Sequence, residues 1–179
     1  ADNQEDLQRY AARFDDLFNQ ILNFNYEESV YEISSIKLDA HLPEVVSEIE
    51  PVYKLKDLDL IINNHWGEEP FYYNLEMLDK IFFSLISGSA GYSVINGKII
   101  LNLIRTGAGD LKVQITDTGK GIPAQDIKVL EKKRGLDQRM KFRDKSGLRY
   151  ILKAMELINK AGGSFNFETQ SNEGSTYTT

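Results

Sequence analysis

Leu111-Lys112-Val113-Gln114-Ile115-Thr116-Asp117-Thr118-Gly119-Lys120-Gly121-Ile122-Pro123 is the stretch that decides the fold. Leu111, Val113 and Ile115 alternate with polar residues, the period of a half-buried strand. The strand therefore ends in a buried carboxylate, Asp117, followed by a two-glycine turn. Glycines one residue apart let a backbone lie flat against a planar ligand where a Cβ would collide. An ionised, acceptor-only Asp suits an exocyclic amine such as N6 of adenine. D-x-G-x-G alone equally describes an ordinary turn after a strand, so the rest of the chain has to decide.

The chain has 179 residues, 41% of them hydrophobic, enough for one good core with a helical appendage. It has no cysteine, which excludes disulfides, thiol chemistry and Cys-ligated zinc, and fits a reducing compartment. No run of about 18 apolar residues occurs, and the acidic start Ala1-Asp2-Asn3-Gln4-Glu5-Asp6 is unlike a signal peptide. A net charge of −6 argues against a general nucleic-acid binder. The charge is uneven: residues 124–149 hold nine basic and four acidic side chains.

Leu7, Tyr10, Ala11, Phe14, Leu17, Phe18, Ile21 and Phe24 keep the three-four spacing of a helix seam that packs on partner helices. Residues 32–38 read as a short edge strand. Pro43 is expected to open a helix at its first turn, with Leu42, Val45, Val46, Ile49, Val52 and Tyr53 on one face. Pro51 is expected to kink or break it. Residues 58–62 form the next strand, residues 63–71 a loop, and Asn74 caps a long helix carrying Leu75, Leu78, Ile81, Phe82, Leu85 and Ile86. Strands over 97–105 and 110–117 form a hairpin through Gly107-Ala108-Gly109. A short helix from Ala124, a basic segment, a helix over 148–160 and two strands around Ser171-Asn172-Glu173-Gly174 complete the chain. His41 and His65 stand apart from acids at metal or triad spacing and read as surface or helix-start residues.

Several of these landmarks fall in the order of the histidine-kinase and GHKL-type ATPases, which the chain resembles over nearly its whole length. Asp117-x-Gly119-x-Gly121-Ile122-Pro123 is similar to the family's G1 box, whose Asp holds adenine. Gly162-Gly163, then ten residues, then Gly174-Ser175-Thr176-Tyr177 is similar to its last hairpin, where a Thr assists that Asp; here the resemblance assigns Thr176. Ile21-Leu22-Asn23-Phe24-Asn25-Tyr26-Glu27-Glu28 resembles the exit of the dimerisation hairpin's second helix. The resemblance implies a two-layer α/β sandwich, a mixed sheet on three helices, with residues 1–26 as hairpin helix and 27–179 as ATP-binding domain. It implies ATP or ADP as ligand, with Asp117, Gly119, Gly121, Ile122, Tyr92, Gly147, Leu148 and Thr176 as binding residues. It also implies a cytoplasmic domain of a larger, membrane-bound bacterial sensor. Its partners would be its own phosphoacceptor hairpin, a response-regulator receiver domain and a second copy of itself, with no nucleic acid.

The phosphate side departs from the family. In the N box, typically N-L-x-x-N-A-x-K-Y, this chain reads Ser84-Leu85-Ile86-Ser87-Gly88-Ser89-Ala90-Gly91-Tyr92. Both Asn positions, which serve Mg²⁺ and phosphate, are Ser84 and Gly88. The Lys position is Gly91, and Tyr92 alone matches. The G2 box is reduced to Ser146-Gly147-Leu148-Arg149. Mg²⁺ reaches a nucleotide through a few side-chain oxygens, and phosphoryl transfer depends on positioning and charge neutralisation. The departures thus point to a pseudokinase module with no catalytic residue and no magnesium site. Two alternatives remain open at this point: an active kinase whose lid cations (Lys132, Lys133, Arg134, Arg139, Lys141, Arg143, Lys145, Arg149) replace the lost groups, and a phosphotransfer protein with a vestigial ATPase domain.

Overall fold

The computed structural model describes residues 32–132 and 147–179, together with seven residues of the first twenty: Glu5, Gln8, Arg9, Ala12, Arg13, Asp16 and Asn19. Those seven are helical and exposed, at three-four spacing. The apolar seam from Leu7 to Phe24 lies outside the described residues, as do the lid cations from Lys133 to Lys145.

The strands follow from alternation. In β4 (Lys98–Arg105) Ile99, Leu101 and Leu103 are buried, and in β5 (Leu111–Asp117) Val113, Ile115 and Asp117. The two pair antiparallel, Ile99 opposite Asp117 and Leu101 opposite Ile115, so their buried residues share one face. With β2 (Asp59–His65), β6 (Asn166–Gln170) and β7 (Gly174–Thr178) they form a five-stranded sheet in the order β2-β4-β5-β7-β6. Only β2 and β4 run parallel, so the sheet is mixed, as expected. β1 (Ser34–Ile36) pairs with β3 (Phe71–Tyr73) in a separate two-stranded ribbon. The loop expected over residues 63–71 is shorter in the structure, because β2 runs to His65 and Phe71 already begins β3. Its three aromatics form a strand because Phe71 and Tyr73 share a face, stacked at 5.5 Å, and Trp66 meets Phe71 edge-on at 5.1 Å.

Four helices are described. α1 (Leu38–Lys54) starts five residues before the expected Pro43 and runs through both prolines. The Lys37 carbonyl accepts the N–H groups of Ala40 and His41, which begins the first turn. Pro43 and Pro51 each remove one ladder hydrogen bond, and the buried row Leu38, Leu42, Val45, Ile49 and Val52 holds the helix together across them. His41 is not isolated: its Nε2 lies 2.6 Å from Asp79 Oδ1, joining α1 to α2.

α2 (Leu75–Tyr92) is buried on nearly every side from Ile81 to Ala90, the mark of a central helix. It packs against α1, α4 (Leu148–Lys160) and the sheet; α3 (Ala124–Lys132) is short and follows the Asp117 turn. The Asn74 side chain caps α2, accepting the Met77 N–H at 2.8 Å. Asn74→Ala is expected to cost about 1 kcal/mol of stability in chemical denaturation, the usual loss of an N-cap acceptor.

Candidate functional site

The site grows from the end of β5. Asp117 lies opposite Ile99 on one side and Ser175 on the other, and only 1% of it is exposed. Its Oδ1 accepts the Gly119 N–H at 2.9 Å, closing the turn. Its Oδ2 is buried and accepts no hydrogen bond of ordinary geometry among the described residues. A buried acceptor with capacity to spare suits an amine ligand. Burial pushes the carboxyl up to about 6, opposed by the N–H groups of Gly119 and Ser175 and by the charge of Lys56. At neutral pH it is still mostly ionised.

The turn is held from two sides. A Cβ on Gly119 would run into the Tyr92 carbonyl, which accepts the Lys120 N–H at 3.3 Å. On the other side the Ile122 N–H donates to Thr169 Oγ1 at 2.8 Å, and the Asn172 N–H donates to the Lys120 carbonyl at 3.0 Å. Gly121 takes φ +75°, which favours glycine, and a Cβ there would sit 2.6 Å from the Gln170 carbonyl. The turn is thus clamped between the end of α2 and the β6–β7 hairpin.

Tyr92 ends α2, and its hydroxyl donates to Asp126 Oδ2 of α3 at 2.9 Å. Gly147 and Leu148 open α4, where a Cβ on Gly147 would lie 2.9 Å from the Tyr92 ring. Asp117, Gly119, Tyr92, Gly147 and Leu148 therefore gather around the end of α2, with Gly121 and Ile122 against the hairpin. Thr176 does not join them. It pairs with Thr116 on the opposite face of the sheet, the two Oγ1 atoms 3.0 Å apart. Ser175 is the hydroxyl on Asp117's face, 3.0 Å from Thr169 Oγ1. The signal was present in the sequence: Tyr177 is apolar and inward, so Ser175, two residues earlier, shares its face.

The face of α2 that carries Ser84 and Gly88 is packed against α4. Ser84 is fully buried, and its Oγ has no partner among the described residues. At Gly88, a Cβ would collide with Ile151 Cδ1 and lie 2.7 Å from its Cγ1. A Cβ on Gly147 would in turn strike the Gly88 carbonyl. Helices α2 and α4 thus meet backbone against side chain at the position where the family carries an Asn. Arg149, counted among the lid cations, donates to the Tyr150 hydroxyl at 3.0 Å and stacks on that ring. Among the described residues the donor set fits an amine-bearing ring such as adenine and supplies no group of side-chain oxygens for a hydrated Mg²⁺, which needs several in near-octahedral array. A groove of about 890 Å³, lined by Trp66, Phe71, Arg105, Lys112 and Ile158, lies at the other end of the sheet.

Sequence comparison agrees with this geometry. Residues 75–179 match the family of histidine kinase-, DNA gyrase B- and HSP90-like ATPases, and the chain belongs to that family. Within it the chain is a histidine-kinase-type ATPase domain. The signal transduction histidine-protein kinase BarA of Escherichia coli (strain K12) is 27% identical over 192 aligned residues, 98% of this chain and 20% of BarA. The chain spans about a fifth of the length of the curated relatives it matches. Among solved structures, the Acinetobacter baumannii histidine kinase AdeS superposes with TM-score 0.61 at 17% identity, over 98% of this chain and 78% of AdeS. The catalytic domain of histidine kinase ThkA gives 0.61 at 17% identity, over 82% and 93%. These two show the shared fold.

Two outcomes follow. Because the folded pKa of Asp117 is above the unfolded value, its contribution is favourable in acid and is lost as pH rises from about 4 through about 6. Asp117→Asn, which keeps the acceptor for Gly119, is expected to raise stability by about 2 kcal/mol at pH 8 and by little at pH 4, read by thermal melts. Gly88→Asn is expected to cost about 1–3 kcal/mol in urea unfolding by overpacking against Ile151, and Ile151→Ala in the same chain should recover part of it.

Proposed function

We propose that the chain is the ATP-binding-type domain of a two-component sensor histidine kinase in which adenine recognition persists and phosphoryl transfer does not. The observation that carries the reading is the contact of Gly88 with Ile151. The helix face that serves metal and phosphate in the family is here part of the core. With Gly91 at the Lys position, no side-chain cation leaves that turn of α2. Catalysis of phosphoryl transfer rests on positioning and charge neutralisation, so losing those groups together removes its main contributions.

In this reading Asp117 accepts the exocyclic amine of ATP or ADP through Oδ2, with Ser175 beside it in place of Thr176, and Ile122 and Leu148 supply apolar contact. The domain works as a pseudokinase module, transmitting a conformational signal between the nucleotide turn and a dimerisation helix over residues 1–26. Its partners are the phosphoacceptor hairpin, a second copy in the intact protein and a receiver domain. A solved structure of ThkA holds that kinase with the response regulator TrrA, and 98% of this chain superposes on it with TM-score 0.62, which supports the last assignment. The module is placed on the cytoplasmic side of a larger bacterial sensor; among the described residues no helix is long and apolar enough to cross a membrane.

Calorimetric titration with ATP and ADP, each with and without Mg²⁺, tests the proposal. The expected result is affinity for both nucleotides that is indifferent to Mg²⁺ and abolished by Asp117→Ala. Tight ATP binding that requires Mg²⁺ would instead make the chain a working kinase half.

A further inference from the structure

α2 ends without a basic residue in its last turn, so its final carbonyls lack the local cation that often faces a helix C-terminus. The cation comes from Lys56, in the connection between α1 and β2. Its Nζ donates to the carbonyls of Ala90 at 2.6 Å, Gly91 at 3.0 Å and Ser93 at 2.9 Å. These are as many bonds as an ammonium has protons. Its own carbonyl accepts the Asn96 N–H at 2.9 Å, so Lys56 fastens both the end of α2 and the loop leading into β4. Against that loop rests the Asp117 turn: Thr118 exchanges hydrogen bonds with the main chain of Lys98, and Tyr92 holds Lys120.

We propose that Lys56 is a positioning residue of the adenine pocket: its ammonium clamps the last carbonyls of α2 and supplies the charge against which Asp117 receives an adenine amine. The inference rests on the reading of Asp117 as adenine acceptor. The family's Lys projects from this turn, whereas Gly91 leaves a bare carbonyl there, and the ammonium of Lys56 sits on that carbonyl. Burial lowers the Lys56 pKa and the nearby Asp117 charge raises it; the same attraction lowers the pKa of Asp117. The other groups acting on this pair are the Gly119 and Ser175 N–H groups and the Tyr177 hydroxyl at Asp117, and the charge of Lys120 at Lys56. Burial and the Asp117 charge push the Tyr177 hydroxyl well above its ordinary value, so it stays neutral.

The test uses the whole chain and two variants. Lys56→Gln removes the charge and keeps two donors for the α2 carbonyls, and Lys56→Arg keeps the charge. A carboxyl NMR titration of unliganded protein is expected to place the Asp117 midpoint higher in Lys56→Gln than in wild type, and near wild type in Lys56→Arg. Adenosine affinity, measured from about pH 5 to about pH 9, should fall at a correspondingly higher pH in Lys56→Gln. A folded Lys56→Gln protein with an unchanged carboxyl midpoint overturns the proposal and leaves Lys56 a plain helix cap. If wild type binds no adenosine at any pH, the adenine reading fails, and the carboxyl titration still decides whether Lys56 sets the charge at Asp117. Should Lys56→Gln not fold, the titration is read in Lys56→Met; a midpoint unchanged there likewise overturns the proposal.

Discussion

The contact of Gly88 with Ile151, backed by Gly147 on the Gly88 carbonyl, is the constraint on which the rest of the structure depends. Small residues along α2, namely Ser84, Ser87, Gly88 and Ser89, let α4 approach until side chain meets backbone. That approach sets Gly147 against the Tyr92 ring, and Tyr92 in turn offers its carbonyl to the Asp117 turn. In the proposed reading, the packing that positions the adenine-facing carboxylate is also the packing that occupies the phosphate side. Interiors are close-packed and discrete in their arrangements, so a side chain at residue 88 requires the Ile151 side chain to give way.

Electrostatics give the site its second constraint. A carboxylate buried as deeply as Asp117 destabilises the folded chain at neutral pH, and the local arrangement offsets only part of that cost. The Gly119 N–H satisfies one oxygen, and Lys56 contributes charge from a connection that is distant in sequence. The remaining oxygen stays without an ordinary partner. A buried, under-satisfied group on a well-packed scaffold is the pattern of a binding site.

Much of this was legible in the sequence. The alternation through Ile99, Leu101, Val113 and Ile115 gives the central hairpin, the helix over 148–160 appears with the expected bounds, and the buried Asp117 follows from the strand's phase. Local rules misled where tertiary contacts prevail. Pro43 reads as a helix start, yet the row from Leu38 to Val52 carries the helix across it. Phe71 reads as the end of a loop because the run Phe71-Tyr72-Tyr73 is too short to show a period, and the strand there forms in pairing with β1. The resemblance assigns Thr176, whereas strand phase from Tyr177 puts Ser175 on the face of Asp117. Lys56 and Ile151 carried no local signal at all, since each acts on a segment far along the chain. The loss of the Asn and Lys groups could be read from residue types alone. That the vacated volume is filled could not.

The central claim is that helix packing closes the phosphate side while the adenine side remains. It is tested most directly by methyl NMR of the Ile151 δ1 group, following its nuclear Overhauser contact with Gly88 as Mg²⁺-ATP is added. The account predicts that this contact is present in the free protein and survives at saturating nucleotide, with adenine protons perturbing only the Asp117 turn. Loss of the Ile151–Gly88 contact on adding Mg²⁺-ATP would contradict it, showing that α4 withdraws to admit phosphate and metal.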